Sequence, residues 1–404
     1  MEYNPLDPEV RQNPYPSYAH LRNELPVHRI EPMGAFAISR YDDVMHVLTH
    51  PEIFSSAGIS NTHLHDRETG EVRPTRMMVF SDPPDHTRLR NIVNRSFTPR
   101  MIADLEPRIQ QITDDLIAAV TPKGAMDLIT DLAMPLPVTI IAEILGVDPA
   151  HKEAFKRWSD DAVRDDSHST SAAQHGPDDH DGDGGSEFQA YFEQAVAERR
   201  RQPRNDMISD LIRAEEEQQA LSSDEVLAFI ALLLIAGNET TTNLLGNAMI
   251  ALLDNPDQLA KVRDDPSLIP NLVEEALRYD APVQFLFRFV TRDTELAGTS
   301  IPEGSIVLPI YGSANRDERK YPEGDRFDVT RDTQGHIAFG HGIHFCLGAP
   351  LARLEGRIAL EALLSRLDRF TRVDDQIEQI DSIFLRGPKR LRLTFEQAKD
   401  GAKA

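Results

Sequence analysis

Apolar residues recur every three or four positions through most of the chain, which is the spacing that places them on one face of an α-helix. This pattern predicts helices at 15–24, 42–49, 85–94, 99–120, 132–145, 149–163, 187–202, 268–279 and 347–369. The run Ser222-Ser223-Asp224-Glu225 has the form of a capping box, so we expect a longer apolar helix from there to about Leu253.

Shorter runs rich in β-branched and aromatic residues predict strands at 27–30, 35–39, 284–291, 305–311, 383–385 and 391–395. Gly, His and Pro break any period over 55–84, which indicates a long loop of the kind that often binds ligands. Residues 159–187 are rich in Asp, His, Ser and Gly and cannot bury enough apolar surface to order themselves, so we expect a flexible acidic loop there. No repeat or linker divides the chain, and we expect one mainly α-helical domain over 1–404 with a minor β portion.

The amino-acid composition argues against some classes of binding partner. The 404 residues include 43 basic and 66 acidic side chains, for a formal net charge of −23. Such a protein repels phosphate backbones and anionic lipids, so we expect no nucleic-acid or membrane partner. The first residues lack the features of a signal peptide, and no run approaches the ~18 apolar residues that span a bilayer. We therefore expect a cytoplasmic protein, and a monomer.

The single cysteine, Cys346, lies just before the last long helix, in the run Phe339-Gly340-His341-Gly342-Ile343-His344-Phe345-Cys346-Leu347-Gly348. A sulfur at a helix N-terminus faces unpaired N–H groups and the positive end of the helix dipole, which favours the thiolate. Gly342 permits a tight turn, and Gly348 leaves room for a flat ligand. The alternative is a buried, inert cysteine, as most lone cysteines are.

The spacing Phe-x-x-Gly-x-His-x-Cys-x-Gly over 339–348 resembles the haem-ligand signature of the cytochrome P-450 family. This resemblance implies that fold, in which a long central helix covers a haem b group beside a small β region. It also implies that the Cys346 thiolate is the axial iron ligand, with Phe339 and Gly348 bordering the cofactor. No Cys-x-x-Cys-His motif is present, so we expect the haem to be held noncovalently.

The longest predicted helix contains Ala236-Gly237-Asn238-Glu239-Thr240-Thr241, a run with poor helix preference. A bond from Thr240 back to the carbonyl of residue 236 would loosen one turn and leave a groove for dioxygen and water. A glycine-tolerant packing contact is the alternative. The family resemblance implies instead that Ala236 borders the haem and that Glu239 and Thr240 are catalytic residues that deliver protons.

Two further groups of residues match the family. His86 and Arg90 are spaced i, i+4 on one helix face, and the resemblance implies that they bind the haem propionates together with Arg288 and His344. Arg288 lies between aromatic residues in a β-run, where a buried guanidinium needs an anionic partner.

Glu275 and Arg278 are three residues apart on one helical face, where they can form an ion pair. The resemblance implies that this pair, with Arg326 as its third member, has a structural role in supporting the haem loop.

Residues 85–100 carry arginines at 88, 90, 95 and 100 against one aspartate, which gives a local charge of +3. An idle surface cluster is one interpretation. The other is a docking patch for an acidic electron donor, extended by Arg353 and Arg357. No flavin or iron-sulfur region is present in the sequence, so we expect electrons from a ferredoxin with its reductase.

The family analogy also implies substrate contacts from four parts of the chain, all of them apolar. They are Met77, Met78, Val79 and Phe80 in the long loop, Ile230, Leu233 and Leu234 on the long helix, Val283, Phe285 and Leu286 after Pro282, and Ile383 and Phe384 near the C-terminus. Each of these side chains alone is more often part of a core. Together they suggest a cavity for a terpenoid, steroid, fatty acyl or macrolide-like molecule.

The predicted function is therefore a haem-thiolate monooxygenase that inserts one oxygen atom of O2 into an apolar small molecule. Two alternatives stay open. A peroxide-driven peroxygenase would need no electron donor, although the Glu239-Thr240 pair favours dioxygen. A non-enzymatic protein that binds haem or a lipid would explain the cavity but not that pair.

Overall fold

The computed structural model describes residues 3–31, 33–57, 63–65, 72–74, 77–151, 154–155, 157–158, 183–218 and 221–398. The helices are α1 Pro8–Gln12, α2 Tyr15–Glu24, α3 Tyr41–Thr49, α4 Asp85–Ser96, α5 Pro99–Asp104, α6 Glu106–Val120, α7 Pro135–Ile144, α8 Asp183–Arg201, α9 Met207–Gln218, α10 Ser223–Asp254, α11 Pro256–Asp264, α12 Ile269–Tyr279, α13 Tyr311–Ala314 and α14 Ala349–Arg366. The strands are β1 Val27–Ile30, β2 Ala35–Ile38, β3 Phe54–Ser55, β4 His63–His65, β5 Val72–Pro74, β6 Ala125–Asp127, β7 Arg288–Val290, β8 Thr294–Leu296, β9 Thr299–Ile301, β10 Ile306–Pro309, β11 Leu367–Arg372 and β12 Arg392–Gln397. The predicted fold class, mainly α with a minor β portion, is confirmed.

The chain forms two compact units that interleave along the sequence. The first comprises Met1–Ser55, Asp104–Leu136 and Thr240–Ala404, and the second comprises Ser56–Ala103 and Pro137–Glu239. Neither unit is contiguous in sequence, and the boundary between them falls inside α10. The single domain predicted over 1–404 stays a prediction.

The first unit contains the larger part of the β structure. Its five-stranded sheet has the order β1-β2-β10-β7-β3, in which β10 runs parallel to β2 and the remaining pairs are antiparallel. Two clusters of buried side chains pack on this sheet, one around Phe54 and Val307 and the other around Tyr18 and Phe285. A second sheet, β11-β12-β6, combines two strands that follow α14 with one that precedes it, and α14 itself packs against α6 and α12.

The second unit is helical in most of its described residues, and α9 packs against both α8 and α4. A buried ion pair ties the end of α8 to the start of α9, because Arg199 Nε donates to Asp206 Oδ2 at 3.0 Å. Arg199 also donates to the carbonyl of Gly146 at 2.8 Å. The loop after α7 is thus fixed to the same corner of the unit.

Several predicted element boundaries were wrong, and proline accounts for two of the errors. The helix predicted over 99–120 is divided into α5 and α6, since Pro107 suits a first helical turn but cannot donate the bond that would continue α5. Pro135 likewise begins α7 after a π-helical turn, Ile129–Ala133, where one helix over 132–145 was expected. The β4–β5 hairpin and a 3₁₀ turn, Met78–Phe80, interrupt the loop predicted over 55–84.

The acidic loop predicted over 159–187 ends earlier than expected. Helix α8 begins at Asp183, four residues before its predicted start, and the rest of the loop predicted over 159–187 lies outside the described residues. The helix predicted over 149–163 is described only in part, beginning with a 3₁₀ turn at Pro149–His151. Helices α9 and α11 were not predicted.

Helix α10 begins where its capping box predicted and ends at Asp254, one residue beyond the predicted end. Ser222 Oγ accepts from the amide of Glu225, and the Glu225 carboxylate accepts from the amide of Ser222 at 2.8 Å. By length and composition α10 could cross a bilayer, contrary to our expectation, and half of its most apolar window is buried inside the structure. A core helix of a water-soluble fold meets the same criterion.

Candidate active site

Cys346 lies in a tightly hydrogen-bonded loop at the start of α14. Its amide donates to the carbonyl of Phe339 at 2.9 Å, and the amide of Phe345 donates to that of Gly342 at 3.1 Å. Gly342 has φ +71°, and a Cβ there would stand 2.6 Å from the Leu48 carbonyl oxygen, so another residue would clash. The cysteine is half-buried and forms no disulfide.

The N-terminal end of α14 leaves room beside the sulfur. A Cβ built on Gly348 would meet Cys346 Sγ at 3.9 Å, an ordinary van der Waals contact, and no other atom within 4 Å. The thiol therefore lies beside open backbone at a helix N-terminus, where the dipole favours its ionised form.

A charged cluster that the sequence did not reveal fixes Phe339. The Glu274 carboxylate accepts from Arg353 Nε at 2.6 Å and Nη2 at 2.9 Å, and it contacts His336 Nε2 at 2.8 Å. The Arg353 guanidinium also lies over the Phe339 ring, 4.5 Å from its centroid. Burial raises the pKa of Glu274, but the hydrogen bonds with His336 and Arg353 outweigh it and lower the pKa to about 2. Glu274 is therefore a carboxylate at any working pH.

Glu275 and Arg278 form a fully buried ion pair, with Arg278 Nε 2.7 Å and Nη2 2.8 Å from the carboxylate. Arg278 Nη1 donates to the carbonyls of Asn315 and Gly324, both at 2.8 Å, and the amide of Asp328 donates to Glu275 at 2.9 Å. The pair thereby fixes the irregular chain that leads to the cysteine loop.

The assignment of Arg326 to this group needs correction. Its side chain is 54% exposed and pairs with Glu323 and Asp328, and only its backbone carbonyl accepts from Arg278. The second arginine at Glu275 is Arg331, whose Nε lies 3.4 Å from Oε1. The chain turns back after Asp328, so that Arg331 faces Glu275 and Arg326 faces solvent.

Arg288 supplies the clearest structural test for a carboxylate-bearing ligand. Its residue surface is 6% exposed, and among the described residues its guanidinium donates only to the carbonyl of Phe287, at 2.7 Å. A buried guanidinium without a carboxylate partner is costly unless a ligand brings the negative charge. Arg288 therefore fits a haem propionate. His344 lies in the 3₁₀ turn Gly342–His344 of the cysteine loop and is half-buried.

His86 and Arg90 lie one turn apart on α4, in the second unit. His86 is buried, and burial lowers its pKa, an effect that the Arg90 charge reinforces. Neutral imidazole is thus the favoured form of His86. This form can donate one hydrogen bond to an anion and accept another from a neighbour.

The open face of α10 differs from the face that we predicted for substrate. Ile230, Leu233 and Leu234 are buried, whereas Leu232, Ile235, Ala236, Glu239 and Thr240 remain accessible at intervals of three or four residues. Thus the proposed proton-delivery residues share one accessible stripe with Ala236. Leu232 and Ile235 also lie on this stripe, although periodicity, which predicts a face but not its direction, did not single them out.

The other residues predicted to contact substrate also fall into two groups, some buried and some half-buried. Phe285 is fully buried in the cluster around Tyr18, so it is a core residue with no surface to offer a ligand. The remaining ones after Pro282 and near the C-terminus, Val283, Leu286, Ile383 and Phe384, are half-buried. In the second unit Met77 is buried, and Met78, Val79 and Phe80 are half-buried on their 3₁₀ turn.

Three arginines of the predicted docking patch already have carboxylate partners. Arg88 pairs with Glu225, Arg353 pairs with Glu274, and Arg357 donates to Glu106 at 2.6 Å and to Glu361 at 3.2 Å. These internal pairs reduce the positive field that the sequence count suggested, because each cation is offset by a neighbouring anion.

A mainly helical fold, a single cysteine in a glycine-containing loop, a buried arginine in that fold's sheet and an acid-alcohol pair on a long helix are together typical of haem-thiolate proteins. The chain belongs to the cytochrome P450 family, whose model matches residues 8–145 and 186–395.

Similar proteins with known names and structures agree with this assignment. Vitamin D(3) 25-hydroxylase of Pseudonocardia autotrophica is 41% identical over 95% of this chain and 94% of its own. Among solved structures, cytochrome P450 CYP109Q5 from Chondromyces apiculatus is 43% identical with a TM-score of 0.88, over 98% of this chain and 99% of that one. CYP109E1 from Bacillus megaterium in complex with testosterone is 35% identical with a TM-score of 0.83, over 96% and 99% of the two chains. The protein is accordingly an oxidoreductase of the cytochrome P450 monooxygenase class.

Proposed function

We propose that this protein binds haem b through Cys346 Sγ and inserts one oxygen atom of O2 into an apolar small molecule. The observation that carries the proposal is the loop at 339–348, which presents a half-buried lone thiol beside open backbone at the N-terminus of α14. Bound haem with a thiolate ligand supplies the activation of dioxygen, given two electrons and two protons.

The chain's own residues have separable roles in this proposal. The N-terminus of α14 stabilises the Cys346 thiolate, while Arg288, His344, His86 and Arg90 are the residues that would hold the two propionates. A guanidinium and a propionate form a charge-assisted pair, so Arg288 offsets its own burial cost when haem is bound.

Proton delivery is assigned to Glu239 and Thr240. Both are half-buried on the accessible stripe of α10, where a carboxyl and a hydroxyl on consecutive residues can exchange protons through water. The Glu239 carboxylate takes a proton from solvent, and the Thr240 hydroxyl passes one on towards the site of reaction.

The substrate class that we infer is an apolar polycyclic or long-chain compound, with a steroid as the first choice. The names of two relatives support it, since one hydroxylates vitamin D(3) and the other was crystallised with testosterone. Half-buried apolar side chains at Val283, Leu286, Ile383 and Phe384 can contact such a molecule. A cytoplasmic location and a ferredoxin with its reductase as electron source complete the proposal.

The direct test compares the purified wild-type protein with Cys346→Ser. We expect a wild-type carbon monoxide difference spectrum typical of thiolate ligation and product formed from a steroid panel with reduced ferredoxin. The serine variant should lose both, because an alcohol is not an equivalent ligand. An unchanged spectrum in the variant would reject Cys346 as the ligand, and product formed with peroxide but never with ferredoxin would favour a peroxygenase.

A further inference from the structure

Backbone hydrogen bonds join the two segments of the first unit that carry the half-buried apolar residues. The amide of Gln284 donates to the carbonyl of Phe384 at 2.7 Å, and the amide of Arg386 donates to that of Pro282 at 2.8 Å. An isolated antiparallel bridge joins Val283 to Leu385 between these two bonds. The segment at 382–386 therefore cannot shift without moving the residues after Pro282.

The Arg386 side chain takes part in a polar network. Its Nε donates to Asp280 Oδ1 at 2.9 Å, and its Nη1 donates to the carbonyls of Arg11 and Gln12, both at 3.1 Å. The guanidinium thus links the end of α1 to the end of α12. Its side chain is only 10% exposed, so these bonds form in a poorly solvated environment, where they are strong.

The N-terminal helices make further contacts with the same network. The Tyr15 hydroxyl donates to Asp280, and Gln12 Nε2 donates to the carbonyl of Ile377 at 2.7 Å. Arg11 forms an ion pair with Asp381, two residues before Ile383. Burial, reinforced by the Asp280 charge, raises the pKa of Tyr15, so its hydroxyl stays a donor at every working pH. Both ends of the 381–386 segment are therefore attached to residues 11–15.

Helix α10 provides the remaining attachment. Asn247 Nδ2 donates to the carbonyl of Asp280 at 3.0 Å and to the carbonyl of Arg386 at 3.1 Å. One amide group therefore links the backbone at Asp280 to the backbone at Arg386. The backbone of Arg386 is fixed on both its amide and its carbonyl side, in addition to its side chain.

We propose that Arg386 is a positioning residue for substrate selectivity, because it holds Ile383 and Phe384 in place through a clamp formed by residues 11–15, Asp280 and Asn247. The inference rests on the proposed function, in which those two side chains contact substrate. Arg386 would then affect which substrates bind without contacting them itself. The clamp also gives the N-terminal helices a role in selectivity that no motif in them suggests.

Lysine at position 386 keeps the charge but has one nitrogen where arginine has three, and cannot span Asp280 and two carbonyls together. The test therefore uses Arg386→Lys in the haem-loaded protein with two iron-binding probes, imidazole and clotrimazole. Imidazole senses the iron alone, whereas clotrimazole also fills the surrounding apolar space. We expect Kd for clotrimazole to rise about tenfold and Kd for imidazole to change less than twofold, because the apolar side chains are misplaced.

Two controls separate this role from general stability. Arg263→Lys removes a comparable link, since Arg263 binds Asp368 at 2.7 Å and the Leu367 carbonyl at 3.1 Å, and it should leave the ratio of the two Kd values unchanged. Hydrogen exchange of the 382–386 amides should accelerate in Arg386→Lys and not in Arg263→Lys. Should Arg386→Lys fail to fold, Gln12→Ala removes an exposed part of the clamp and should shift the ratio in the same direction by roughly threefold.

Phe384→Ala distinguishes failure of the clamp from failure of the proposed function. A changed clotrimazole affinity in Phe384→Ala with none in Arg386→Lys or Gln12→Ala would overturn the clamp and keep the assigned contact. No change in any of the three would overturn both the clamp and the contact. A wild-type protein that gives no spectral shift with imidazole would refute the haem site, and hydrogen exchange would still decide whether Arg386 holds the segment.

Discussion

Replacing Glu355 with glutamine should stabilise the protein increasingly as pH rises. Glu355 lies on α14, is 1% exposed and is hydrogen-bonded to Thr241 of α10, in the same unit. Burial raises the pKa of Glu355 to about 8 from 4.5, although the hydrogen bond with Thr241 opposes the shift. At neutral pH the folded protein therefore holds a proton there that the unfolded chain releases.

The sign and size of the effect follow from proton linkage. Below pH 4.5 both states are protonated and the neutral carboxyl contributes its full stability. Between 4.5 and 8 unfolding releases a proton, so the wild-type free energy of unfolding falls by about 1.4 kcal/mol per pH unit relative to a side chain that does not titrate. Above pH 8 the loss levels off at about 5 kcal/mol, and at pH 7 it is about 3 kcal/mol.

Glu355→Gln keeps the shape and cannot ionise, so the comparison isolates the titration. Urea unfolding of both proteins from pH 5.5 to 8.5 should give a stability difference that widens in favour of the variant as pH rises. Glu361→Gln, on the same helix but at a half-exposed carboxylate, is the matched control, and its stability difference from wild type should not change across this pH range. Parallel curves for Glu355→Gln and wild type would refute the reasoning, as would a difference that narrows with pH.

Three further predictions concern the cofactor, the proton path and the ion pair. Arg288→Leu should release haem to apomyoglobin about tenfold faster than wild type, since the propionate loses its buried cation, and an unchanged rate would exclude that contact. Thr240→Ala should consume reductant while diverting oxygen to peroxide, measured as product per electron, and an unchanged yield would reject its role in proton delivery. Arg278→Leu should cost about 3–5 kcal/mol in urea unfolding because it leaves Glu275 buried and charged, whereas Arg326→Ala should cost less than about 0.5 kcal/mol. Equal losses in the last two variants would contradict the geometry around Glu275.

Local sequence signals predicted local structure well. The capping box at Ser222 and Glu225 fixed the start of α10, and the run at 15–24 gave α2 with both ends correct. Prolines produced the main errors, since Pro107 divides a continuous apolar pattern that periodicity alone joins into one helix. Periodicity measures which residues share a face and carries no information on hydrogen bonds that a proline removes.

Candidate site residues were harder to predict where the direction of a side chain depends on contacts between parts of the chain that are distant in sequence. The motif at 339–348 identified the cysteine loop, because its residues act within one short segment. Arg326 was chosen over Arg331 because nothing in a linear pattern tells which arginine an irregular chain turns back towards Glu275. On α10 the apolar period predicted the helix, but Leu233 and Leu234, which were predicted to contact substrate, are buried, since the direction of each helix face depends on what packs against the helix.

Helix α12 supports the cysteine loop from two sides, through adjacent carboxylates. Successive residues on a helix point about 100° apart, so Glu274 and Glu275 reach different neighbours. Glu275 binds Arg278 and the amide of Asp328 in the chain that precedes the loop, whereas Glu274 binds His336 and Arg353, which flank Phe339 on either side in sequence. The amide of Cys346 in turn donates to the carbonyl of Phe339. Two neighbouring acidic residues of α12 are therefore linked through hydrogen bonds to the chain that leads into the cysteine loop and to the residues on either side of Phe339.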